Sequence, residues 1–306
     1  MFAAAALGTS LQAQTENRDP DRARFVTSDL AHFWEAFDAR TQLGTARALD
    51  SLYFKRATPG LEDFRRLRLE DANSFARTVD AASLYYGSTR ASMARIASFE
   101  EPLRAMFHRF HALYPTAVFP DVYFVVGRLS TGGTTGPAGL LIGAEMYGRT
   151  SDAFLGPPLN AWHRAVLRPV EDLAAIVSHE LIHYQQPRIG SSLLAASLYE
   201  GIADFVAELV SGENLNYLAV AYLDAHTDAV RAEFVEASEG NDLTKWLYNG
   251  AASSERPADL GYAVGHHIAR AFYERAADKP AALRRMLTLT SERQARQFLE
   301  ESGWAK

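Results

Sequence analysis

The sequence predicts a mostly α-helical α+β fold with a small β-sheet between two helical stretches. Three observations carry this. Residues 20–115, rich in Arg and aromatics, and residues 161–306 read as helical. Residues 116–160 hold two apolar, β-favouring runs, at 122–126 and 139–146, separated by a Gly/Thr-rich loop. With 306 residues, 48% hydrophobic and 22% charged, the chain can bury one large core or two lobes.

Taken in order, the start from Met1 to Gln14 reads as the end of a signal peptide cleaved after Ala13. It lacks a basic leader and has Leu11 three residues before the cut, so a frayed tail is the alternative. Residues 1–19 are therefore expected to be leader and tail, and the protein periplasmic or secreted. Residues 20–115 form an N-terminal helical region, with a first helix from Ser28 and turns near Thr58-Pro59-Gly60 and Tyr114-Pro115. Arg65-Arg66-Leu67-Arg68 is interrupted and followed by Glu70 and Asp71, so it reads as a solvated helix face. Residues 116–306 are the metal-binding region. Glu145, at the end of the second apolar run, is either a cleft-lining or a structural carboxylate. A net charge of −6 and the lack of a long basic run argue against a nucleic-acid partner. No run of 18 apolar residues occurs, so no transmembrane segment is expected. With no cysteine, a metal site must use His and carboxylates.

The metal motif is His179-Glu180-Leu181-Ile182-His183. On a helix, residues four apart share a face, so His179 and His183 can converge on one zinc ion. Glu180 lies about 100° around the helix and flanks the metal, where its carboxylate can serve as general base. Helix-forming residues run into the motif from an acidic first turn, and Pro187 stops the helix. A catalytic zinc needs a third protein ligand and an open position. The next helix, through Leu198-Tyr199-Glu200-Gly201-Ile202-Ala203-Asp204 and capped near Gly212, offers Glu200 as that ligand. Asp204, one turn on, would hydrogen-bond a ligating histidine from behind. Gly201 and Ala203 remove bulk where helices approach. A tight hairpin would misalign the ligands, so the segment from Pro187 to about Ala195 is expected to be partly non-helical or the helices to cross steeply. Glu208 and Glu213 are poorer ligand candidates.

An HExxH helix followed by one carrying ExxxD resembles the thermolysin-like gluzincin metallopeptidases. That resemblance implies His179, His183 and Glu200 as ligands with Asp204 behind them. A closer resemblance, over nearly the whole chain, is to a bacterial family of predicted zinc-dependent proteases that includes the gliding-motility lipoprotein GldB. It is carried by Thr27-Ser28-Asp29-Leu30 with Phe33-Trp34, by Gly60-Leu61-Glu62-Asp63-Phe64, and by Val125-Val126-Gly127-Arg128. It continues through Gly132-Gly133-Thr134, Ile142-Gly143-Ala144-Glu145, the HELIHYQQ and EGIADF stretches, Trp246-Leu247-Tyr248 and Gly261-Tyr262-Ala263-Val264-Gly265. Unlike the lipoprotein members, the chain has no cysteine for lipid attachment. The resemblance implies a zincin-like fold with its small sheet beside the HExxH helix, an edge strand there being able to hold an extended peptide. By analogy with gluzincins that place a Tyr or His opposite the zinc, Tyr262 is the candidate donor to the developing oxyanion. His266, one turn on, is the substitute, and His267 reads as an ordinary histidine. The expected function is zinc-dependent hydrolysis of a peptide or protein substrate. The alternative is a non-catalytic envelope or motility component built on the same fold.

Overall fold

The computed structural model describes residues 17–69, 71–250 and 256–306. The segment read as a signal peptide lies outside the described residues, apart from the tail from Asn17. Among the described residues the chain is mostly helical with one four-stranded sheet. The first half contains β1 (Phe25–Val26), α1 (Ser28–Leu43), α2 (Thr45–Ala48), α3 (Pro59–Phe64), α4 (Ala72–Ala81), α5 (Ser83–Ala94) and α6 (Glu100–Leu113). The sheet is completed by β2 (Asp121–Val125), β3 (Gly133–Gly136) and β4 (Gly139–Gly143). The second half contains α7 (Ala161–Val166), α8 (Leu173–Gln185), α9 (Leu193–Ser211), α10 (Tyr217–Ala225), α11 (Thr227–Ala237), α12 (Leu260–Arg275), α13 (Lys279–Leu287) and α14 (Glu292–Ser302). Among the described residues, no helix is long and apolar enough to cross a membrane.

The strand order is β1-β2-β4-β3, with β1, β2 and β4 parallel and β3 antiparallel at the edge. Four of the five residues of β2 and all of β4 are buried, which accounts for their continuous apolar runs. The Gly/Thr-rich stretch expected as a loop is in part the strand β3. Its side chains are too small to show an apolar alternation, and pairing with β4 supplies the order instead. Conversely, the run expected to extend to Met146 leaves the sheet at Gly143 and turns into a 3₁₀ helix over Ala144–Tyr147. Thr58-Pro59-Gly60 is a helix start rather than a free turn. Thr58 Oγ1 accepts from the Leu61 amide, Pro59 occupies the first helical position, and the absent side chain of Gly60 admits the Tyr123 ring.

Several short motifs now have structural causes. Asp63 on α3 accepts a 2.7 Å hydrogen bond from the Ala138 amide in the β3–β4 turn. Gly127 lies against Phe64 and Glu145, where a Cβ would come within 2.9 Å of the ring. Glu145 is fully buried and accepts from the amides of Gly127 (2.8 Å) and Leu129 (3.2 Å). Burial raises its carboxyl to about 7, against the pull of those amides. Of the two readings of Glu145, the structural one holds: it clamps the loop after β2 and lies behind the cleft.

Helix α8 packs under β3 and β4, and α9 lies between α8 and α12. The α9–α12 crossing is backbone to backbone. A Cβ on Gly201 would lie 2.2 Å from the Gly265 carbonyl carbon, and one on Gly265 would lie 1.8 Å from the Ser197 oxygen. Gly261 lies one turn earlier on α12, against Leu247 and the Ser197 hydroxyl. This spacing of glycines sets how close α12 comes to the centre of the molecule.

Candidate metal centre

Helix α8 ends at Gln185, because Gln186 precedes a proline and takes an extended conformation. Residues 187–192 are non-helical, and α9 begins at Leu193, where Ser192 caps it by accepting from the Ala195 amide. The chain can therefore return with α9 alongside α8 and its own ligand in register.

The side chains of His179, Glu180, His183, Glu200 and Asp204 all line one cleft of about 450 Å³. His183 Nε2 lies 3.0 Å from Glu200 Oε2, and His179 Nε2 lies 3.5 Å from the same oxygen. These three side chains form a group able to hold a metal ion, with one candidate atom from each within 4.8 Å of the others. The opposite ring nitrogens are already engaged. His179 Nδ1 lies 2.8 Å from Asp204 Oδ1, and His183 Nδ1 lies 3.0 Å from Gln186 Oε1. An acceptor at Nδ1 fixes the tautomer with its proton there, leaving Nε2 free to ligate. The donor set of two imidazoles and one carboxylate fits a zinc site that keeps an open position.

The electrostatics agree with a cation-binding centre. Burial lifts the Glu200 carboxyl, but His183 and His179 outweigh it and hold the group well below the usual range. Burial works against a charged His179 ring, yet hydrogen bonds to Asp204 and Glu200 raise it well above the ordinary value. Glu180 makes no such bond among the described residues. Burial raises its carboxyl, against the pull of His183 and His179. Gly133 of β3 sits directly on it, and a Cβ there would lie 2.7 Å from Glu180 Cγ. The edge strand thus lies against the candidate base, and the motif Gly132-Gly133-Thr134 is explained by that approach.

Tyr262, beside the glycine pair of α12, faces the cleft. Its ring stacks over His179 at 6.4 Å between centroids with 22° between planes. Burial, then Glu200, raise its hydroxyl well above the ordinary value, so it stays a donor. His266 is not among the cleft-lining residues. Its Nε2 lies 2.8 Å from Glu208 Oε2, so it is placed to brace α12 against α9. Glu208 is occupied there and by Asn214, away from the metal group. His267 is buried beside Asp224 and Arg270, and burial, then Arg270, lower it to about 4.

Further residues, whose roles at the site the sequence does not show, complete it. Tyr248 donates a 2.6 Å hydrogen bond to Glu200 Oε1, the oxygen opposite the one shared by the histidines. Its backbone is left-handed, φ +56°, as is that of Asp259, which also lines the cleft. Asn249 and Asp259 exchange hydrogen bonds of 2.9 and 3.2 Å, and the Gly261 amide donates to the Trp246 carbonyl, so the loop is stapled to the start of α12. Gln186 holds His183, as above. Arg68, expected on a solvated face, reaches Thr134 Oγ1 at 2.9 Å and lines the cleft.

Residues 165–290 match the profile of a family described as a predicted Zn-dependent protease (DUF2268). The matched stretch contains the metal group, Tyr248 and Tyr262. No curated protein and no solved structure matches the chain.

Proposed function

We propose that the protein is a zinc-dependent peptidase of gluzincin-like design, with His179, His183 and Glu200 holding zinc. The observation that carries this is the convergence of His179 Nε2, His183 Nε2 and Glu200 Oε2 beside a buried Glu180 at the foot of a cleft. The similarity of residues 165–290 to the predicted protease family supports it. Zinc bound there would supply Lewis acidity, polarising a carbonyl and easing loss of a proton from water.

The remaining work falls to the protein's own groups. Edge strand β3 has no strand on its outer side among the described residues and can take an extended peptide by β-augmentation. That lays the scissile bond over Glu180, which Gly133 touches. Glu180 accepts the proton of the attacking water and passes it to the leaving amine nitrogen, a role suited to a carboxyl raised by burial. Tyr262 donates a hydrogen bond to the carbonyl oxygen as charge develops on it. Asp204 and Gln186 keep the imidazoles oriented, and Tyr248 holds Glu200.

The test is Glu180→Gln. The variant is expected to fold and bind zinc as the wild type does, and to lose hydrolysis across a peptide library. A blank library digest by the zinc-loaded wild type, together with full function of Glu180→Gln in a deletion strain, would overturn the reading in favour of a non-catalytic envelope component.

A further inference from the structure

Two arginines flank the cleft from separate segments. Arg68 follows α3 and is held by Thr134 of the edge strand, through one of the five N–H groups of its guanidinium. Arg188 follows α8 and lies over the Tyr199 ring at 4.4 Å; that ring stacks on His183 at 4.3 Å. Each is thus positioned by an uncharged partner, and neither forms an ion pair among the described residues, whereas many other arginines do, such as Arg24, Arg56, Arg90 and Arg95. Three of the cleft's own carboxylates are engaged elsewhere: Glu200 with the histidines and Tyr248, Asp204 with His179 and Asn216, Asp259 with Asn249. The fourth, Glu180, feels the charge of Arg68 but makes no ion pair with it. A third cleft arginine, Arg168, donates to the Leu215 carbonyl and is less free. In a chain of net charge −6, two guanidinium groups without an ion pair among the described residues are thus held at the sides of the reactive centre.

Resting on the peptidase reading, we propose that the substrates are peptides carrying Asp or Glu side chains close to the scissile bond, recognised by Arg68 and Arg188. Arg68 lies beside the strand that would pair with the peptide backbone, so it meets a side chain of the segment crossing Glu180. Arg188 meets a side chain on the part nearer α9. Guanidinium suits this task because it stays charged and presents paired donors to a carboxylate.

The experiment measures binding to the zinc-loaded Glu180→Gln protein, so no turnover is needed. The probes are short fluorescent peptides, N-acetylated and C-terminally amidated, with Asp and Glu or with Asn and Gln at the same positions. A further version of the Asn/Gln peptide has a free C-terminus. The acidic peptide is expected to bind about 10-fold or more tightly than its amide counterpart, as hydrogen bonds to charged groups imply. The preference should shrink in Arg68→Gln and in Arg188→Gln, vanish in the double variant, and weaken with salt. Arg47→Gln, outside the cleft, should leave it intact. Both cleft arginines are exposed, so their variants should fold, which circular dichroism checks. Equal binding of acidic and amide peptides, or a preference that survives the double variant, overturns the proposal. So does tight binding seen only with a free C-terminus, which would assign a terminal carboxylate instead. An intact acidic preference with no cleavage by the wild type would leave the binding assignment standing and remove the peptidase reading.

Discussion

Gly265→Ala tests the backbone crossing that brings α12 to the site. The added methyl would lie 1.8 Å from the Ser197 carbonyl oxygen and 2.6 Å from its carbon. Carbon–oxygen contacts settle at about 3.3 Å, so the two helices must part by about 1.5 Å or the backbone must bend. The obstacle is backbone on a helix with buried residues on several faces, so it cannot swing aside as a side chain would. Overpacking of this kind costs about 1–3 kcal/mol, and the gain from replacing Gly by Ala in a helix returns about 1 kcal/mol. Because the overlap is against backbone that cannot yield, the upper end of that range applies, and a net loss of about 2 kcal/mol is expected in urea unfolding monitored by circular dichroism. Gly87, an exposed glycine in α5 with nothing within 4 Å of where a methyl would sit, provides the control. Gly87→Ala should be neutral or stabilising by up to about 1 kcal/mol. Glu200 and Tyr262 sit on the two displaced helices, so Gly265→Ala should also weaken metal binding. Unchanged stability in Gly265→Ala, or a larger loss in Gly87→Ala, would refute the close crossing.

Asp204→Asn and Tyr248→Phe each remove a group that orients a metal ligand, and each should weaken zinc binding about 10 to 100-fold in competition titrations; unchanged affinity would remove that residue from the site. Tyr262→Phe keeps the ring over His179 and should lower kcat about 10² to 10³-fold with little change in KM; full kcat would pass the donor role to another group. Glu145 should make stability pH-dependent: its carboxyl rises from an ordinary 4.5 to about 7 in the fold, so the protonated form is favoured there. The stability present below about pH 4.5 is then lost as pH rises through 7, amounting to about 3 kcal/mol. Urea unfolding of Glu145→Gln should lack that decline, and an equal decline would place its origin elsewhere.

The parts legible in the sequence were those whose chemistry is local. His179, Glu180 and His183 are spaced by a single helix, and Glu200 with Asp204 by the next, so helical geometry alone brings each set to one face. Pairing the two sets needed only a non-helical return, which Pro187 signals. The strand β3 escaped because Gly133 has no side chain to show a pattern, and its cause, contact with Glu180, is tertiary. Tyr248 escaped because its role depends on a left-handed backbone and a loop stapled by Asn249 and Asp259, neither of which has a periodic signature. Gln186 was within reach, three residues after His183 at the helix end, where its amide can fold back on the ring. Arg68 was read by its neighbours in sequence, whereas its position is set by Thr134 across the cleft.

The central claim is that His179, His183 and Glu200 together hold a zinc ion. Its most direct test is the zinc content of the purified protein and of Glu200→Ala, measured by mass spectrometry of the metal after dialysis against a weak chelator. One zinc per chain in the wild type, removed by a strong chelator and largely absent from Glu200→Ala, is the expected result. No zinc in the wild type, or the same zinc content in Glu200→Ala, would contradict it.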